Sequence, residues 1–404
     1  MIDLINEILA TLRNNRLRTI LTGFAVSWGI FLLIVLLSVS HGLSGGMNKM
    51  FSLNDTQSIS VSGGWANKSY KGLSDSRRVN LRDRDMPVIS SQHSDDVTRI
   101  SAEISGEGTV STQKDYITDV YRGVYPQSLR ADGLTLLEGR FINDYDLKAR
   151  RKVMIISDRN ARQLFGNEYA IGKHVKMNDL VFTIVGIYSH EWNNSSYIPY
   201  TTARGLAGGS DEVDKIIIGA DNIHTLKDND RLEEGLYSTL GHRHSFASDD
   251  RSALWIRSRI KSHLTQNQAS GALDIAVWII GMLTMLSGIV GVSNIMFVSV
   301  RERTHEIGVR RAIGARPLSI LRQIILESVA ITTIFGYVGI FTGVVVAQLI
   351  NRLIGGSNFY SDPGTDLATA FEVTLVLVIA GALAGLFPAL KSLKIKPVEA
   401  LRDE

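Results

Sequence analysis

Four stretches of this chain contain no Asp, Glu, Lys or Arg: residues 19–48, 275–300, 328–351 and 373–390. Each is predominantly apolar, and about 18 such residues carry a helix across the hydrocarbon of a bilayer. In that solvent every backbone N–H and C=O must be paired within the segment, which leaves helices as the solution for isolated runs. Charged residues, 21% of the 404, are crowded into what lies between. The expected fold class is a membrane protein with four transmembrane α-helices and a large extracytoplasmic α/β domain between helices 1 and 2.

Loop charge sets the orientation. Arg13, Arg16 and Arg18 precede the first run, and Arg301, Arg303, Arg310, Arg311, Arg316 and Arg322 follow the second. Lys391, Lys394, Lys396 and Arg402 follow the fourth, whereas loop 351–370 carries only Arg352. The basic segments fall on one side, which the positive-inside rule makes cytoplasmic. Residues 49–274 then lie outside. They hold 29 basic and 29 acidic residues, which leaves 14 and 11 for the rest of the chain. A neutral outer domain has no bulk attraction for nucleic acid, so none is expected as a partner.

The first run raises the rival reading of a cleavable signal peptide, with Ser38-Val39-Ser40 resembling a cleavage site. Signal cores run about 7–15 residues, and the apolar stretch from Ile20 to Val39 is longer. It is read as a retained anchor. There is no cysteine, which excludes disulfides, zinc–thiolate sites and iron–sulfur ligation.

Ile2, Ile5, Leu9 and Leu12 mark an amphipathic helix along the inner interface. Leu43, Met47 and Met50, and again Ile256, Ile260 and Leu264, extend the helical period beyond the first span and before the second. Both helices are expected to pair as a stalk. In the outer domain, Val- and Ile-rich runs predict strands at 57–61, 116–121, 153–157, 181–188 and 215–219. Helices are expected at 83–95, at 230–240 and from an Asp158 cap to Phe165, stopped by Gly166. The Ser-, Gly- and Arg-rich stretch 62–82 reads as a mobile loop.

Catalytic signatures fail on spacing. A phosphate loop needs four residues between its glycines and a hydroxyl after its lysine; Gly166 and Gly172 are separated by five, and His174 follows Lys173. Gly42-Leu43-Ser44-Gly45-Gly46 matches a nucleophile elbow but follows a membrane span where a strand is required. His242, His244 and His263 lack the spaced companions of a metal site, and no metal is expected.

Within the spans, Asn294 and Glu327 lie at similar depth toward the inner side, seven residues before Arg301 and ten after Pro317. Ionisable groups in a span face protein or water. Glu327 is expected to turn inward toward Asn294. Gly381 and Gly385 form a small-xxx-small pair that lets helices approach closely, within one chain or between two.

The inner loop runs from Asn294-Ile295-Met296 through Arg301-Glu302-Arg303 to Glu306-Ile307-Gly308, then Arg310-Arg311-Ala312 and Gly314-Ala315. It reads as a short charged helix continuing from span two and ending near Gly314 and Pro317. This run resembles the coupling region of MacB/FtsX-type ABC transporter permeases, whose pattern falls on Glu302, Arg303, Glu306, Ile307, Gly308, Arg311, Ala312, Gly314 and Ala315. The segment Arg18 to Gly29, the tail Pro397 to Arg402, and Leu164-Phe165-Gly166 with Ile171-Gly172-Lys173 resemble the same family.

The resemblance implies a domain plan. A cytoplasmic helix occupies 1–19, the first span with its stalk 20–52, and a two-lobed periplasmic core domain 53–250, its second lobe about 121–200. Stalk and second span take 251–300, the coupling helix 301–317, the third span 318–350, the outer loop 351–370, the fourth span 371–392 and the tail 393–404. It also implies a non-catalytic permease in the bacterial inner membrane. ATP and Mg would be bound by a separate cytoplasmic ABC ATPase, which Arg301, Glu302, Arg303, Glu306, Gly308, Arg310, Arg311 and Gly314 would engage. A second permease, as a homodimer in preference to a heterodimer, membrane lipids, a periplasmic adaptor and an outer-membrane channel complete the implied partners. The implied function is mechanotransmission that drives efflux of small toxic compounds or peptides. Lipoprotein release, as in LolC/LolE-like members, and FtsX-like regulation of a cell-wall hydrolase are the alternatives.

Overall fold

The computed structural model describes residues 16–52, 55–354, 360 and 367–392. The amphipathic helix expected over 2–15, the tail 393–404 and most of loop 351–370 lie outside the described residues. The chain forms two units, Met1–Lys49 with Ala269–Glu404, and Met50–Gln268.

In chain order, α1 (Arg16–Ser52) is followed by β1 (Ser58–Gly63), β2 (Trp65–Ala66), β3 (Arg77–Arg78), β4 (Leu81–Arg82), α2 (Asp85–Gln92), β5 (Arg99–Ser111) and β6 (Tyr116–Val124). Next come α3 (Ser128–Ala131), β7 (Thr135–Gly139), α4 (Asp144–Lys148), β8 (Val153–Ser157), α5 (Asp158–Phe165), β9 (His174–Met177) and β10 (Leu180–Ser189). Then β11 (Ser196–Pro199), α6 (Tyr200–Leu206), β12 (Glu212–Val213), β13 (Lys215–Gly219), α7 (Leu226–His244) and β14 (Leu254–Ser258) complete the outer unit. Helices α8 (Arg259–Glu302), α9 (Thr304–Ala312), α10 (Pro317–Ile354) and α11 (Leu367–Ser392) follow.

The outer unit is built on a ten-stranded sheet ordered β14-β1-β13-β5-β6-β11-β8-β10-β7, with β9 pairing β10 and β5. β5 organises it. Arg99–Glu103 pair with β13, and Ile104–Ser111 pair with β6, so one 13-residue strand is shared by two halves of the sheet. Two buried clusters back the sheet. The first gathers Ile59, Leu81, Ile89, Ile216, Leu236 and Phe246, and also takes in Ile155, Tyr188 and Tyr197 from the far half; the second gathers Val110, Met154, Leu164, Phe182, Ile184 and Ile198. The second core draws on residues between 110 and 203, a span that overlaps the lobe expected near 121–200. β8 is buried at all five positions and β13 at four, because helices or neighbouring strands cover both faces; such strands read as unbroken apolar runs.

Local chemistry sets the helix starts. Ser157 Oγ accepts from Asn160 N at 3.1 Å, so Ser157 caps α5, one residue before the expected Asp158. Thr225 caps α7, and Asn143 with Asp146 forms a reciprocal capping box on α4. The stretch 62–82, expected as a loop, carries β2, β3 and β4, with Trp65 and Ala66 registered against Arg78 and Arg77. Helices α1 and α8 run beyond the apolar stretches, to Ser52 and back to Arg259, but the expected helical period starts later than Ile256. Ile256 lies in β14, and Ile260 and Leu264 pack on the outer unit's first core.

A buried ion cluster pins α7 to the start of α2. Asp85 is fully buried; it accepts from Arg243 Nε at 2.7 Å and from Arg82 N at 2.8 Å, and pairs with His244 Nε2 at 2.7 Å. Burial alone raises the Asp85 carboxyl, but the hydrogen bonds from His244 and Arg243 outweigh it and hold Asp85 below the usual carboxylate range.

In the membrane unit, four helices are long and apolar enough to span a bilayer, over Gly23–Lys49, Arg259–Glu302, Pro317–Ile354 and Glu372–Ser392. Val26, Ile30, Leu33 and Leu37 recur at helical spacing and meet Met296 of α8, Ile324 of α10 and Leu377 of α11. Hydrophobicity does not drive such contacts in lipid; close packing and interhelical hydrogen bonds do. Ser27 Oγ donates to the Phe335 carbonyl at 2.6 Å, and Ser328 Oγ donates to that of Gly381 at 2.8 Å.

Candidate coupling site at the inner hairpin

The charged segment that follows α8 is an almost continuous extension of it. The helix steps at Arg303, but Arg303 N still bonds Ser299 O, and Ile307 N bonds Arg303 O. Thr304 Oγ1 donates back to Arg301 O at 2.7 Å, a bond that bends helices. α9 then runs to Ala312 with Ile307 and Gly308 buried beneath it.

Gly314 closes α9. Its N–H bonds Arg311 O at 3.1 Å, and Ala315 N bonds Arg310 O at 3.0 Å, the paired pattern of a Schellman motif. That motif needs a left-handed residue, and Gly314 has φ +98°. Pro317, whose missing N–H is no loss at a first helical position, then starts α10 back the other way.

The two arms of this hairpin are tied by polar side chains. Arg303 Nη1 stands 3.4 Å from Glu327 Oε1, and Gln323 Nε2 reaches the same oxygen at 3.5 Å. Arg310 Nη1 donates to Gln323 Oε1 at 3.1 Å. A cavity of about 30 Å³ lies between Ser299, Arg303, Glu306, Arg310, Gln323 and Glu327, room for about one water molecule. Glu327 does turn inward, but not to Asn294, which lies exposed on α8 with no side-chain hydrogen bond among the described residues. The reason is hairpin geometry. Arg303 precedes the Gly314 turn by eleven residues and Glu327 follows it by thirteen, about 16 and 20 Å of helix, so these two come level.

Of the remaining site residues, Gly308 is buried and Arg311 half-buried, while Glu306 and Arg310 are exposed at the mouth of that cavity. Arg301 and Glu302 are exposed too, and neither they nor Glu306 form an ion pair among the described residues. Two apolar residues that the charge pattern concealed join them: Ile313 is 81% and Leu318 75% exposed on the hairpin tip. Their position among polar neighbours, past the last buried turn of α9, is the sequence signal that marks them. Gly381 and Gly385 lie elsewhere. They let α11 rest against α10 within one chain, where a Cβ on Gly385 would sit 2.7 Å from Ser328 Cβ. The Gly42–Gly46 segment is interior to α1, not at a strand–helix turn.

A four-helix membrane unit, an α/β head inserted in sequence between its first two spans and a charged inner hairpin together define a class of multi-pass permease. The MacB-like periplasmic core domain matches residues 19–231, and the FtsX-like permease C-terminal domain matches residues 278–397. The chain belongs to this MacB/FtsX family of ABC transporter permeases, inner-membrane proteins with a periplasmic domain. It is 28% identical to the macrolide export ATP-binding/permease protein MacB of Bdellovibrio bacteriovorus, over 100% of this chain and 62% of that protein. It is 27% identical to the Chlorobaculum tepidum protein of the same description, over 98% and 60%. The chain thus spans about 60% of the length of these curated relatives. Among solved structures, the periplasmic region of MacB from Actinobacillus actinomycetemcomitans superposes with a TM-score of 0.42 and 20% identity, covering 54% of this chain and 94% of that one.

Proposed function

We propose that this permease relays ATP-driven motion from a cytoplasmic ABC ATPase to its periplasmic domain. The observation that carries the reading is the inner hairpin. Its exposed surface offers Arg301, Glu302, Glu306 and Arg310 together with Ile313 and Leu318, a mixed charged and apolar surface suited to a protein partner. Its inward face is tied through Arg303 and Glu327 to α10. A displacement of α9 therefore reaches two spans at once, α8 by continuity and α10 through the polar tie. ATP and Mg belong to the ATPase, whose closed and open states must bind the hairpin differently for ATP to bias the permease. A second copy of this chain forms the dimer that seats two ATPases. The work driven is efflux of small toxic compounds or peptides from the periplasm, with an adaptor and an outer-membrane channel. The likeness to macrolide export proteins supports this reading.

The test is co-purification of the ATPase with full-length permease from native membranes. Arg310→Glu with Arg311→Glu, and separately Ile313→Asp, are expected to abolish ATPase association while the permease still assembles; Ile313→Asp should also melt as before, whereas the Arg310 change removes its bond to Gln323. Ile313→Asp matters because that side chain is 81% exposed and has no structural work to lose. Undiminished ATPase association in both variants would remove the hairpin from the interface.

A further inference from the structure

The outer unit contains a cleft of about 840 Å³, in the size range of sites for small organic ligands. Its charge is one-sided. Arg150, Lys152 and Arg204 line it against a single acid, Asp83. That acid is already satisfied: Arg204 pairs with it and the Tyr200 hydroxyl donates to it. Arg150 and Lys152 are exposed, and neither has a side-chain partner among the described residues. On the same lining the half-buried Tyr125 stacks on the buried Tyr200 with ring centroids 4.8 Å apart, and Met86, Leu180 and Leu206 add apolar wall. Burial pushes both phenols up, so neither contributes negative charge at neutral pH.

Arg150 occupies its place against local preference. Its N–H bonds Leu147 O at 3.3 Å, and Arg151 N bonds Asp146 O at 2.9 Å, a second Schellman closure like that at Gly314. Here the left-handed position, φ +48°, is held by arginine. A side chain there costs on the order of 1 kcal/mol that glycine would avoid. Retained local strain of this kind concentrates where a side chain is used.

We propose that this cleft binds a small organic anion, its carboxylate or similar acidic group held by Arg150 and Lys152 and its aromatic or apolar body laid on the Tyr125–Tyr200 stack. A flat protein interface does not require a concavity of this volume, and a simple inorganic ion would leave the aromatic lining unused. The site is separate from the inner hairpin and does not depend on the coupling reading.

The test uses the full-length chain in nanodiscs of uncharged lipid, with naphthoate as the probe and its neutral amide, naphthamide, as the control. Naphthoate is expected to bind saturably with a Kd of about 1 mM or tighter, and naphthamide at least about tenfold more weakly. Arg150→Gly relieves the left-handed backbone, so it should keep or raise the melting temperature of the head while weakening naphthoate at least about tenfold. Lys152→Gln should weaken it as well. Identical discs cancel partition of the probe into lipid. Absence of saturable naphthoate binding at several millimolar, equal binding by the variants, or equal binding of naphthamide would each overturn the proposal.

Discussion

Arg303 and Glu327 meet 3.4 Å apart across the inner hairpin, with Glu327 only 5% exposed. Removing one partner of a largely buried pair strands the other charge. Glu327→Gln is expected to destabilise the membrane unit by about 1–3 kcal/mol, less than a fully buried pair would lose because Arg303 is partly solvated. A double-mutant cycle with Arg303→Gln, read by denaturant unfolding in nanodiscs, checks the pairing. Strictly additive losses would mean that the two side chains do not interact.

Gly314 is the left-handed residue of a Schellman closure. Gly314→Ala should cost about 1 kcal/mol and fray the end of α9, and Gly314→Asn should cost less, because asparagine tolerates that backbone. Hydrogen exchange across 304–316 reads both. Equal protection in the two variants would contradict the assignment.

Gly385 faces Ser328, with 2.7 Å between a built Cβ and Ser328 Cβ. Gly385→Val should overpack the α10–α11 contact by about 1–3 kcal/mol. Adding Ser328→Gly should recover part of the loss by making room, at the expense of the hydroxyl bond to Gly381 O. Thermal unfolding of both variants decides the matter. A harmless Gly385→Val would show that this contact is loose.

Asp85 links the periplasmic domain to pH. Its carboxyl is depressed in the folded state by His244 and Arg243, against the opposing effect of burial. A depressed acid stabilises above its unfolded pKa, and that stability is lost as pH falls through the folded value. The head should therefore hold its melting temperature from neutral pH down to about pH 4 and lose it below. In Asp85→Asn the melting temperature should be lower at pH 7 and less dependent on acid. An unchanged acid profile would assign the effect elsewhere.

The membrane unit was legible because a charge-free run has few alternatives in lipid. The strands at 153–157 and 215–219 were legible for a related reason: β8 and β13 are covered on both faces, so their apolar runs are unbroken. Legibility failed where the signal was shorter than a period. β2, β3 and β4 are two residues each, too brief to alternate, and lie in a stretch whose composition suggests a loop. Leu254-Trp255-Ile256 fits a strand as well as the helix that follows it. At the site, the charges of the inner loop were visible but their partners were not. Counting depth from each span's own boundary paired Glu327 with Asn294; only the position of the turn at Gly314 shows that Arg303 is the residue level with it.

β5 pairs its first five residues with β13 and its last eight with β6. The two ladders meet end to end between Glu103 and Ile104, so one unbroken strand carries the chain from one half of the sheet into the other. The halves are accordingly seamed together by continuous backbone. Pulling the halves apart would mean unthreading that strand, not merely straightening a linker.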